Sequence, residues 1–228
     1  MQTHAYRMEQ LPLYVKIVFV LTTFATAYML YLSSHKKRIA LTVLLLWLIV
    51  QTLISQSGFY TATNTLPPRF LLLVAPPLLL IITMFFTNWG KRFIDSLDMQ
   101  TLMYLHVVRI PVELVLYWLY QHGQVPQLMT FEGRNFDILS GISAPIMAYL
   151  AFKQHKLSNR VLLIWNAVCV VLLLNIVINA ILSVQTPFQQ FAFEQPNVAV
   201  LYYPFVWLPC CVVPAVLFAH LVAFRRLR

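Results

Sequence analysis

Leu105–Tyr120 reads LHVVRIPVELVLYWLY, a segment suited to hydrocarbon except for Arg109 and Glu113 near its middle. An ionisable side chain at mid-depth in a bilayer costs about 2.5–3.5 kcal/mol on insertion scales, so one kept there implies a partner or a function. Helical spacing places His106, Arg109, Glu113 and Tyr117 on one stripe, because residues three and four apart are neighbours on a helix surface. Pro111 lies between the two charges. It has no N–H to offer the carbonyl of Val107, which leaves that acceptor for an arginine or another polar group. The segment predicts a spanning helix in which Arg109 and Glu113 either pair with each other or organise a site.

The remainder of the chain has the same character. Of 228 residues, 60% are hydrophobic and 10% charged, against roughly 25% charged in ordinary soluble domains. Apolar runs of about 20 residues, the length that spans a bilayer, occur at approximately 12–33, 39–59, 70–88, 100–122, 137–153, 160–184 and 197–224. The expected fold class is all-α: a polytopic integral membrane protein, with residues 1–228 forming one bundle of seven transmembrane helices. Pro204, Pro209 and Pro214 should kink the seventh helix. The first run is followed by His35-Lys36-Lys37-Arg38 and is expected to be retained rather than cleaved as a signal.

Charge fixes an orientation. Lys36, Lys37, Arg38, Lys91, Arg92, Lys153, Lys156, Arg160, Arg225, Arg226 and Arg228 fall on one side of this bundle, and only Arg7, Lys16, Arg69 and Arg134 on the other. Lysine and arginine concentrate in cytoplasmic loops, so the N-terminus is placed outside and the C-terminus in the cytoplasm. The short loops suggest a bacterial inner membrane. Because the cations sit between apolar runs, the net charge of +9 gives no support to nucleic-acid binding.

In that orientation Gln51, Ser55 and Gln56 share the outer half of the bundle with Glu113, Tyr117, Ser140, Ser143, Asn175, Asn179, Tyr202 and Tyr203. The expectation is an outward-facing polar cavity, with Arg109, Glu113, Tyr117, Asn175, Asn179, Gln51, Ser140 and Tyr202 as ligand-binding residues. The alternative for each amide is a hydrogen bond between helices, worth about 0.6 kcal/mol. The outer segment 131–137, FEGRNFD, offers a lid through Glu132, Arg134 and Asp137, or simply an N-cap at Asp137.

No motif names a cofactor. His106 and His220 lie at similar depth, five or six residues from the cytoplasmic ends of their spans, which raises the alternative of a haem iron or another metal held between two imidazoles. Cys169, Cys210 and Cys211 all fall in apolar segments and show no metal-type spacing. HExxH, GxSxG and P-loop signatures are absent. The layout resembles rhodopsins and G-protein-coupled receptors in topology alone, since the seventh span has no lysine for a retinal Schiff base.

Three functions follow as expectations. The first is small-molecule binding for transport or sensing, with Arg109 holding an anionic group and Glu113 balancing it or carrying a proton. The second is a membrane-embedded enzyme acting on a lipid or lipid-linked substrate, with Glu113 as general base. The third is a noncatalytic subunit whose charged pair locks the bundle. Expected partners are membrane lipids and a small-molecule or lipid ligand, with another membrane protein or a second copy of the chain as a further candidate.

Overall fold

A computed structural model describes residues 8–228, and every regular element among them is helical. Arg7, counted among the outer cations, lies outside the described residues. In chain order the elements begin with α1 (Leu13–Ser33), α2 (Arg38–Gln56), α3 (Leu71–Phe86) and α4 (Asn88–Asp95). Then come α5 (Met99–Leu105), a 3-10 turn at His106–Val108, and α6 (Arg109–Gln121). Next, α7 (Ile138–Ala148) runs into a π turn at Tyr149–Lys153 and α8 (Asn159–Leu182) follows. Finally a π turn at Leu208–Val212 opens α9 (Val213–Arg226).

Five helical stretches, 13–33, 38–56, 99–121, 159–182 and 208–226, are long and apolar enough to cross a membrane. A sixth candidate, α3 with α4, is bent by 91°, and Ile138–Lys153 is a shorter apolar helix. All seven apolar runs are therefore helical, with two departures from their expected bounds. The third ends at Phe86 because Thr87 turns the chain into extended backbone and its hydroxyl accepts the Gly90 N–H, capping α4. The seventh begins at Leu208 rather than 197, and residues 197–207 form a 3-10 turn and bends. Pro204 cannot donate to a helical ladder there, and Pro209 sits in the first turn of its segment, where no donor is needed. Pro214 falls inside the continuous 208–226 helix, where the Cys210 carbonyl four residues before it accepts the Trp47 indole N–H at 2.9 Å.

Pro111 has a visible effect. The helix tightens to a 3-10 turn at His106–Val108, just before the position where its ring interrupts the ladder. The resulting α5–α6 unit is central. It packs against α1, α7 and α9, and 61% of its most apolar window is buried, as is 67% in 208–226, against 17% in α2 and 28% in α8. The peripheral helices instead display large apolar side chains, among them Leu53, Leu79, Ile164 and Val171.

Helix α7 comes close to α6 at Gly141. A Cβ there would lie 2.9 Å from Ile110 Cγ1, 3.1 Å from the Ile110 amide nitrogen and 3.2 Å from Arg109 Cβ. Gly141→Ala is expected to push α7 off α6 and lower stability by about 1–3 kcal/mol, read as a thermal-unfolding shift. An unchanged melting temperature would mean the two helices are not this close.

The connections gather at two ends. At one, Asp98 N–H donates to Ser33 O at 2.8 Å, Lys37 Nζ to Ser96 Oγ at 3.3 Å, and Arg225 makes two 2.8 Å bonds to Asp95. At the other, Val198 and Ala199 N–H donate to Gln124 O, and Gln195 Nε2 donates to Tyr120 O and Val125 O.

Candidate functional site: an enclosed polar centre

Arg109 is buried, and its partner is not Glu113. Arg109 Nη1 lies 3.0 Å from Asp137 Oδ1, and Nη2 lies 3.0 Å from His220 Nε2. Asp137 adopts helical backbone angles and caps no N–H, so its carboxylate is free to turn inward across the α6–α7 contact. This corrects its expected role as lid or N-cap.

The protonation of His220 follows from its neighbours. Asn166 Nδ2 donates to Leu162 O at 2.8 Å, which turns Asn166 Oδ1 toward His220 Nδ1, also at 2.8 Å. The proton is therefore on Nδ1. Nε2 must accept, because a guanidinium only donates. His220 is neutral in this arrangement, and both ring nitrogens are engaged. His106 stacks on it with ring centroids 4.0 Å apart, and Trp165 meets His106 edge-on at 5.7 Å. The two histidines do meet at matched depth, but His220 has no lone pair to offer a metal. Among the described residues no group of three or more His, Cys, Asp or Glu is placed to hold one.

Glu113 has its own partner. Asn135 Nδ2 approaches both carboxylate oxygens, at 2.6 and 2.7 Å, and also donates to Met129 O at 3.0 Å. Asn135 Oδ1 accepts the Asp137 N–H at 3.0 Å. One loop residue thus ties Glu113 to the backbone that delivers Asp137.

Along a helix of about 1.5 Å rise per residue, His106, Asn166 and His220 are nearer the Lys37–Arg225 end. Arg109 is mid-helix, while Glu113 and Asn135 are nearer the opposite end. The centre is enclosed: Arg109, Glu113, Asn135, Asp137, Ser140 and His220 are all 4% exposed or less. The expected outward-facing cavity is therefore not formed here. A seam lined by Met99, Met103, His106, Asn166 and Ala219 approaches from the other side but is too narrow for a water molecule.

Several expected ligand residues lie elsewhere. Gln51 accepts from the Tyr60 hydroxyl and donates to Leu72 O at 3.4 Å, so it joins α2 to α3. Asn179 Nδ2 donates to Asn175 Oδ1 at 3.2 Å, and Asn175 Nδ2 donates to Arg134 O at 2.7 Å, fastening the outer loop to α8. Tyr117 stacks on Phe131 at 4.9 Å, and Tyr202 is half-buried in the segment before α9. Glu132 and Arg134 are exposed and do not close over the centre. Ser140 does belong to it, one helical turn beyond Asp137 and beside Gly141.

Asn135 and Asn166 were not among the expected residues. The depth argument that paired His106 with His220 also applies to Asn166, seven residues into its helix. Asn135 carried no comparable signal, being one polar residue in a polar loop.

Residues 66–228 match the model of a family described as "Domain of unknown function (DUF8737)". No curated protein and no solved structure matches the chain. The matched segment contains the whole polar centre, whereas Gln51, Ser55 and Tyr60 precede it.

Proposed function

We propose, for a chain that belongs to this family, a multi-pass membrane protein whose enclosed centre binds a small polar molecule for transport or sensing. Seven spans, an external N-terminus and a cytoplasmic C-terminus are part of this reading. The meeting of Ser33, Lys37, Ser96, Asp98 and Arg225 at one end supports the alternation of spans, and the direction rests on the excess of lysine and arginine at that end. A cell membrane, of the bacterial inner type, is the compartment proposed.

One observation carries the ligand reading. Among the described residues, three buried side-chain polar atoms in this centre have neither a hydrogen-bond nor an ion-pair partner: Arg109 Nε, Ser140 Oγ and His106 Nδ1. Such atoms cost about 1–3 kcal/mol each when left unpaired, and their clustering is what a polar guest would relieve. A structural lock would satisfy them internally.

Charge narrows the guest. Arg109 is already matched by Asp137 and His220 is neutral, so no positive charge in the centre is left uncompensated and a further anion is disfavoured. The guest proposed is neutral or cationic, with Glu113 able to adjust the balance by taking up a proton. This replaces the anionic ligand expected from Arg109 alone. Loading requires α7 to withdraw from α6. The 3-10 turn at His106–Val108 and the π turn at Tyr149–Lys153 are places where the helical ladders already change register.

The test is mass spectrometry of small molecules released from detergent-purified protein, comparing wild type with a folded Arg109→Met/Asp137→Leu double variant. A polar species enriched in wild type and missing from the double variant is expected. Identical extracts would defeat the proposal and leave the charged cluster as a lock.

A further inference from the structure

We infer that α4 and the connection before α2 form a binding site for anionic phospholipid headgroups. The inference goes beyond the proposed ligand site and rests only on the membrane placement. α4 leaves α3 at 91°, so where α3 crosses a bilayer, α4 lies along its surface. Its inner face is fixed by Ile94 and by Gly90, where a Cβ would lie 2.2 Å from Met84 O. Its outer face carries Trp89, 70% exposed and stacked on Phe93 at 6.0 Å, next to Phe86, 80% exposed. Aromatic rings in this position are held at the headgroup level.

Cations flank the aromatic pair. Lys37 Nζ lies 5.0 Å from the Phe93 ring centroid, and Lys91 and Arg92 project from α4 itself. The nearby carboxylates are already engaged. Asp95 is bound by Arg225 at 2.8 Å, which holds its carboxyl below the usual carboxylate range, and Asp98 accepts from the Thr101 N–H and hydroxyl. Among the described residues Lys37, Lys91 and Arg92 make no salt bridge. Lys37 and Arg92 flank the exposed aromatic face, and Lys91 adds its charge from the far flank of the same short helix.

The whole-chain balance points the same way. Eleven cations and two carboxylates, Asp95 and Asp98, lie on this side of the bundle, which equals the net charge of +9, while the remaining charges cancel. A surface of that sign attracts anionic lipid. The headgroup phosphodiester would sit by Lys37 and Arg92 at the aromatic face, with Lys91 raising the local positive charge and the acyl chains passing Phe86 and Trp89.

Native mass spectrometry of the delipidated full chain tests this, with phosphatidylglycerol, phosphatidylcholine and free glycerol phosphate as probes. Phosphatidylglycerol is expected to bind most tightly, and Lys91→Gln/Arg92→Gln to weaken it about 5-fold per cation removed. The charge-preserving Lys91→Arg/Arg92→Lys should restore it, and Lys153→Gln/Lys156→Gln, which removes the same charge from another connection on that side, should weaken it clearly less. Equal binding of both lipids, an unaltered preference in the Lys91/Arg92 variant, or glycerol phosphate binding as tightly as lipid would overturn the inference.

Discussion

Asp137→Leu is expected to cost about 3–5 kcal/mol of stability, because it leaves the Arg109 guanidinium buried without a counter-charge. Arg109→Met should be similarly damaging, stranding the carboxylate 3.0 Å away. The double variant should recover most of the loss, since an apolar pair of similar volume often replaces a buried ion pair at little cost. It should fall short of wild type by about 1–3 kcal/mol, because His220 Nε2 then lacks the donor that Arg109 Nη2 supplied. Thermal unfolding of all four proteins in one detergent closes the cycle and measures the coupling directly. Single variants that melt with wild type would mean that Arg109 and Asp137 do not meet.

The second large effect is expected at Asn135, a loop residue that composition alone would rate as dispensable. Its amide is the donor to both Glu113 oxygens, and its carbonyl oxygen fixes the backbone N–H of Asp137. Asn135→Ala should therefore cost about 2–3 kcal/mol, as the buried Glu113 carboxyl loses its hydrogen-bond donor and the Asp137 N–H its acceptor. Adding Glu113→Gln should return part of that loss, because the neutral amide tolerates burial better than a carboxylate. If Asn135→Ala unfolds no earlier than wild type, Glu113 must be satisfied by some other group.

These two residues also mark how far the sequence could be followed. Apolar run length located the five helices long enough to cross a membrane because hydrocarbon thickness sets a length that composition must meet, and Pro111 marked where the helical ladder would be interrupted beside Arg109. Depth counting brought His106 and His220 together, and extended to Asn166 it would have reached the His220 partner. The partner of Arg109 was not legible. Spacing on α6 favours Glu113 one turn away, whereas the fold uses Gly141 to bring α7 close enough for Asp137 to reach across. Sequence spacing describes one helix, and this pairing is a property of two. The outer amides misled for a related reason. Counting along the spans assigned Gln51, Asn175 and Asn179 to the same half of the bundle as Glu113, but they face different neighbours, and such counting carries no information about direction around the bundle.

The central claim is that the Arg109 centre is a place for a guest rather than a lock. A cryo-EM map of the protein in lipid nanodiscs, at a resolution that shows ordered water, tests it most directly. The account predicts non-protein density larger than a single water in contact with Arg109 Nε and Ser140 Oγ, with α7 displaced from α6 to admit it. A dry centre in which Arg109, Asp137, Ser140 and His106 satisfy one another, or hold one lone water, would contradict it.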